Sequence, residues 1–157
     1  ALTIIVWARS TISVAGVLPL VSNYDATPQN AQYTLRINAG RVAWASHGGG
    51  GTHSFSGTTL TPIINTWQMY AVTKTGIAGT VTLYLNAIAD ATTGVSADNK
   101  VGTEAARGNT RVGQLGDFAG QRWTGGIAPP LVYNYAFTPG QLLNYYEKTR
   151  YLFGVNE

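Results

Sequence analysis

His47 and His53 bracket a run of four glycines, Gly48 to Gly51. Imidazoles at such a spacing suit zinc or nickel. A metal centre needs further ligands, however, and no acidic residue or Cys stands beside this pair. The plainer expectation is a hairpin tip, the most flexible stretch of the chain, because consecutive glycines hold no conformation unaided. An His-Gly-Gly-Gly segment also occurs in esterase oxyanion loops, but that chemistry requires a Gly-x-Ser-x-Gly elbow. The chain has none.

The carboxylates are Asp25, Asp90, Asp98, Glu104, Asp117, Glu147 and Glu157. Paired general acid and base chemistry on glycosidic bonds needs two of them within several ångströms. No two are spaced to share one strand face, which argues against an enzyme. A different constellation suits sugar binding. Asp117, Gln121, Arg122 and Trp123 put a flat aromatic beside groups that hydrogen-bond hydroxyls. Trp44, Phe118 and Tyr24 also fall in or beside expected loops, while Trp7, Trp44 and Trp67 read as core and Trp123 as core or site. Tyr145, Tyr146, Tyr151 and Phe153 form an aromatic tail that needs a partner, either its own sandwich or a neighbouring subunit.

Composition narrows the setting. The chain has 157 residues, enough for one domain over 1–157 with a substantial core. Only 11% of residues are charged, and 19 are Gly. The surface is therefore wetted mainly by neutral polar groups, as in secreted and particle-bound β proteins. The net charge of +3 comes from scattered Lys and Arg with no basic run. Nucleic acid is thus not an expected partner. The absence of Cys excludes disulfides and thiolate metal sites. No apolar run approaches the roughly 18 residues of a membrane span, so no membrane partner is expected. Leu2 to Trp7 is already a core-grade strand, which suggests a processed chain or part of a longer one.

These groups must be positioned by strands. Leu2–Arg9, Val17–Tyr24, Ala31–Asn38, Arg41–Ser46 and Ser54–Thr61 read as strands, with Pro19 marking an edge or a bulge. The centre is Trp67 to Ala91. Trp67, Met69 and Ala71 alternate with Gln68, Tyr70 and Val72, and Val81, Leu83 and Leu85 alternate with Thr82 and Tyr84. A period of two predicts strands with one buried face. Residues 92–109 read as a long polar loop and Thr110–Leu115 as a strand. Trp123–Ala136 reads as a strand that Pro129-Pro130 demotes to an edge. The period then changes. Thr138 as N-cap, Pro139 at the first turn and Gln141 as capping-box partner predict a helix closed by Gly154. The fold class is all-β, an antiparallel β-sandwich or jelly roll with one short C-terminal helix.

Three stretches resemble one family. Trp67, Ala71-Val72-Thr73 and Val81-Thr82-Leu83-Tyr84-Leu85-Asn86 are similar to the signature hairpin of laminin-G-like, concanavalin A-like jelly rolls. Gly126-Ile127, Tyr133-Asn134 and Phe137-Thr138-Pro139-Gly140-Gln141 resemble its closing strand and helix. Leu2-Thr3-Ile4-Ile5-Val6-Trp7 resembles an early strand, and the resemblance spans nearly the whole chain. The tail from Tyr145 to Val155 is similar to the ends of such domains in tailed-phage structural proteins. Asn86-Ala87 departs from the family's Asn-Gly, so that turn is expected to differ. Ala128-Pro129-Pro130-Leu131 replaces the acidic pair that often follows Gly-Ile. Strands that usually precede Leu2 are absent.

The resemblance implies a non-enzymatic module of a phage particle, a capsid decoration or fibre surface domain. It would act through other virion proteins or self-association, with Tyr145, Tyr146, Tyr151 and Phe153 as interface. The alternative is a lectin-like adhesin for surface glycans, secreted or on a cell surface. Related domains also bind Ca²⁺ at a loop rim, for which Asp25, Asp90 and Asp117 are the donors at hand. A glycan-active enzyme is disfavoured, because the Glu-x-Asp-x-x-Glu pattern of glycanases on this fold is missing.

Overall fold

The computed structural model describes residues 1–23, 33–48, 51–57, 59–76, 79–91, 110–115 and 120–156. The expectations for Tyr24, Asp25, Phe118, Asp117 and the 92–109 loop lie outside them.

Two antiparallel sheets face each other. One runs in the order β10 (Gly125–Ile127), β1 (Leu2–Ser10), β6 (Gln68–Lys74), β7 (Val81–Leu85) and β8 (Ile88–Ala89), with β11 (Leu131–Tyr133) also on β1. The other runs β5 (Gly51–Ser56), β4 (Arg41–Gly48), β3 (Tyr33–Asn38), β2 (Val17–Asn23) and β9 (Thr110–Val112). Between them lies the main core, with Ile4, Val6, Tyr70, Val72 and Leu83 from the first sheet and Leu20, Leu35, Ile37, Val42 and Trp44 from the second. β-Branched and aromatic residues at every second position make these segments strands, since each buries its apolar side against the facing sheet.

The central hairpin departs from the expected single buried face. Every residue of β6 is buried. Its second face carries Met69 and Ala71, which join Ile5, Trp7 and Tyr84 in a second cluster around Leu142 of α1 (Pro139–Thr149). The C-terminal helix has therefore made a one-sided sheet two-sided. Its start follows the sequence. The Thr138 hydroxyl accepts from the Gln141 backbone N–H, and the Gln141 side chain accepts from that of Thr138. A 3-10 turn, Arg150–Phe153, ends at Gly154 in the left-handed region at φ 68°. The tail therefore packs on its own sandwich. Trp7 stacks on Tyr146 and Phe153, with ring centroids 5.6 and 4.5 Å away.

Several local expectations change. Pro19 marks a bulge inside the sheet, since the register shifts between Pro19 and Val21 and β2 is flanked by β3 and β9. As expected of a hairpin, β4 and β5 pair up to the glycine run, Gly48 with Gly51 and His47 with Thr52. Asn86 and Ala87 keep the turn expected of Asn-Gly, both at positive φ, 51° and 63°. Ala87 tolerates this because the Asn86 side chain accepts the Met69 N–H and fixes the turn. Pro129-Pro130 separates β10 from β11 along one edge of β1, as expected of a break.

Candidate functional site

The sheets are joined along both sides. On one, the segment after β9 pairs with residues 121–123. Gln114 bridges Arg122, and the Trp123 N–H donates to the Gly113 carbonyl at 2.7 Å. The Trp123 indole then donates to the Gly126 carbonyl and meets Tyr70 edge-on at 6.2 Å. Trp123 is thus half-buried and tied to both sheets, and its one polar group is used internally. On the other side, buried Asp90 accepts the N–H groups of Thr59 and Leu60, each at 3.1 Å. A Cβ on Gly57 would collide with its carboxylate. Asp90 therefore acts as a clamp on a strand connection.

The expected site residues separate accordingly. Gln121 and Arg122 stay beside Trp123, with Arg122 exposed and the Gln121 side-chain oxygen buried without a hydrogen bond. Asp90 lies in the opposite seam, apart from that cluster. Among the described residues no three His, Asp or Glu gather as metal ligands. His47 and His53 sit on neighbouring strands but are not register partners. Tyr145, Tyr146 and Phe153 pack within the second cluster, which leaves Tyr151 as the solvent-facing aromatic of the tail.

The outer face of the five-stranded sheet brings together residues that the linear sequence separates. Leu35 and Ile37 point to the core, so Thr34, Arg36 and Asn38 face outward. By the same alternation Ser22 faces outward on β2, and Arg41, Ala43 and Ala45 on β4. Register places Arg111, Ser22, Thr34 and Ala45 in one row across β9, β2, β3 and β4. Pro19, Arg36 and Ala43 form the next row. The floor is small and polar. Ser22, Thr34, Ala43 and Ala45 are buried, and the Ser22 hydroxyl donates to the Gln114 carbonyl at 2.7 Å. The Thr34 hydroxyl is 1% exposed as a residue yet has no partner among the described residues. Buried polar atoms are ordinarily satisfied, so the Thr34 hydroxyl is an exception on this sheet.

Arg36, Arg41 and Arg111 were dispersed cations in the sequence. The signal for the first two was present, because each alternates with core residues. Arg111 joins them only through the pairing of β9 with β2, set 89 residues along the chain from Ser22 to Arg111.

Comparisons agree with this architecture. The model described as Concanavalin A-like lectin/glucanases superfamily, of laminin-G type, matches residues 1–142. No curated protein matches the chain in sequence. Among solved structures, the CBM40 domain of a Ruminococcus gnavus IT-sialidase superposes with a TM-score of 0.73 at 16% identity, covering 92% of this chain and 81% of that one. Domain 4 of AbnA, an extracellular arabinanase from Geobacillus stearothermophilus solved with arabinotriose, gives 0.67 at 17% identity, covering 91% and 65%. The receptor-binding domain of botulinum neurotoxin type G gives 0.61 at 11% identity, covering 94% of this chain. The present chain spans only 38% of that domain's length. With two antiparallel sheets, a helix-covered outer face and a match over residues 1–142, the chain belongs to the concanavalin A-like lectin/glucanase superfamily.

Proposed function

We propose that this chain is a non-catalytic glycan-binding module that holds its ligand on the outer face of the five-stranded sheet. The observation that carries the reading is the row of small and polar residues across β9, β2, β3 and β4, in which the Thr34 hydroxyl has no partner among the described residues. Half-buried guanidinium groups along this face, Arg36, Arg41 and Arg111, match sugar hydroxyls. Support comes from two similar folds, a CBM40 bound to α2,3-sialyllactose and an arabinanase domain in complex with arabinotriose. Against an enzyme stands the use of Asp90, whose carboxylate is taken up by backbone amides.

The setting in which such a module would work is the surface of a phage particle, where it would add a glycan contact to a capsid or fibre. The aromatic tail's likeness to phage structural proteins motivates that part. Stoichiometric recovery of the chain in purified particles tests it, and its absence from them refutes it.

For the site, Thr34→Val keeps shape and removes only the hydroxyl. Because that hydroxyl has no partner among the described residues, the variant keeps its stability. It loses roughly three- to tenfold in affinity on a panel of oligosaccharides, the worth of about one hydrogen bond. Unchanged affinity for a glycan that binds the native chain removes Thr34 from the site.

A further inference from the structure

We infer that the chain carries a second ligand site, an aromatic platform at Tyr135 beside α1 that stacks against a neutral, β-linked pyranose of a glycan. It lies against the six-stranded sheet, away from the face proposed above, and stands or falls separately from it.

Residues 133–137 lead from β11 towards α1. One hydroxyl fixes the backbone of this turn at two points. Buried Thr3, on β1, donates to the Tyr135 carbonyl at 2.7 Å and accepts the Phe137 N–H at 2.8 Å. The rings are fixed as well. Tyr135 stacks on Phe137, with centroids 5.2 Å and planes 25° apart. Tyr133 meets Tyr135 edge-on at 5.6 Å and Phe137 at 4.7 Å. Tyr133 and Phe137 pack on the cluster around Leu142, which anchors the three rings to the fold. Tyr135 nevertheless stays 48% exposed. Phe137 occupies one of its faces, so the open part is the other face and the edge. A ring already held in one position loses little freedom when a ligand docks.

The surroundings select the ligand. Leu131, Tyr133, Asn134, Tyr135 and Tyr145, which make the patch, are all uncharged. Leu131 and Tyr133 share the helix side of the sheet, as do their register partners Ile5 and Thr3. Asn134 is exposed beside the ring and offers both donors and an acceptor. Burial, and after it the Tyr133 phenol, raises the Tyr145 phenol above its ordinary value of 10.0, so this hydroxyl keeps its proton. The negative face of an aromatic ring attracts C–H groups that carry slight positive charge. A β-linked glucose unit has C–H groups on its two faces and hydroxyls round its rim. It can therefore lie flat on Tyr135 while Asn134 takes a hydroxyl at the edge. At 48% exposure Tyr135 opens roughly 100 Å², the footprint of one sugar ring. A stable contact with a second copy needs about 800 Å² from each partner, which fits this patch less well.

The test uses the full chain with cellotetraose and arabinotriose as probes, read by backbone amide NMR and titration calorimetry. The inference predicts saturable shifts at Asn134, Tyr135 and Ala136 with cellotetraose, at an affinity that added salt leaves unchanged, since no ion pair forms. Tyr135→Phe keeps the ring and loses no more than about threefold. Tyr135→Leu keeps an apolar contact with Phe137 but removes the flat face, and loses roughly tenfold. Leu152→Ala, in the exposed tail, changes nothing. Equal affinity of Tyr135→Leu and Tyr135→Phe overturns the inference, because ring stacking would then contribute nothing. Tighter binding of arabinotriose at these amides overturns the pyranose assignment. A native dimer in sedimentation equilibrium that Tyr135→Leu turns into a monomer overturns it too, since the patch would then serve a second copy. No shift at Tyr135 with either sugar overturns the inference whether or not Ser22, Thr34 and Arg36 respond. Shifts at Tyr135 alone support it and remove the first site.

Discussion

Replacing Asp90 by Ala should destabilise the domain by about 1–3 kcal/mol. The estimate follows from its hydrogen bonds. One carboxylate oxygen accepts the N–H groups of Thr59 and Leu60, each at 3.1 Å, in a residue only 1% exposed. Alanine leaves both donors without an acceptor; Thr59 is exposed and regains water, while the half-buried Leu60 donor costs about 1–3 kcal/mol when unsatisfied. Asp90→Asn keeps one acceptor oxygen and should lose less than half as much. Urea denaturation is the assay. The midpoint should fall at unchanged slope, since the same surface is exposed on unfolding. For a chain of this size the melting temperature should drop by about 2–12 °C. Adding Ca²⁺ or a chelator should shift neither native nor variant midpoints through this residue. If Asp90→Ala unfolds within about 0.5 kcal/mol of the native chain, the clamp is wrong. If Ca²⁺ raises the native midpoint and Asp90→Asn abolishes that gain, Asp90 is a metal ligand after all.

Ala87→Gly should stabilise the chain by up to about 1 kcal/mol. Alanine at φ 63° carries a left-handed penalty of about 1–2 kcal/mol that exceeds the entropy cost of glycine. Thermal melting checks it, and a fall in melting temperature refutes it. Trp7→Ala should cost about 3–5 kcal/mol and free the C-terminal helix, because the ring stacks on Tyr146 and Phe153 and its indole donates to the Thr149 hydroxyl at 3.2 Å. Early proteolysis within residues 139–153 reads that release. Burial raises the Tyr70 phenol well above its ordinary value of 10.0. A raised folded value stabilises fully below the unfolded value and is lost as pH climbs beyond it, so stability should decline from about pH 10 upward. Tyr70→Phe should flatten that decline, and an unchanged alkaline profile would refute the assignment.

Strand identity was legible wherever apolar residues alternate, as in Leu35 and Ile37 or Leu83 and Leu85. The helix start was legible because Thr138, Pro139 and Gln141 each satisfy a local need. What escaped were consequences of distant contact. Alternation in β6 implied one buried face, but only docking of Leu142 shows that both are covered. Trp123 carried the composition of a sugar platform, yet its indole is held by the Gly126 carbonyl. Asp90 stood among loop residues, and nothing local revealed that its oxygen serves amides 30 positions earlier. Ala87 resisted the expected turn by propensity, but the Asn86 hydrogen bond overrides that preference. The arginine face was half legible. Arg36 could be assigned outward from its own strand, while its company depended on sheet order.

The central claim is that ligand sits on the outer face of the five-stranded sheet. Backbone amide NMR during titration with α2,3-sialyllactose and with arabinotriose, the sugars held by the similar folds, tests it most directly. Shifts concentrated at Ser22, Thr34, Arg36, Ala43, Ala45 and Arg111, and weakened in Thr34→Val, are the predicted result. Saturable shifts confined to α1 and Tyr151, or to the end bearing Ile12 and Ile63, would contradict it.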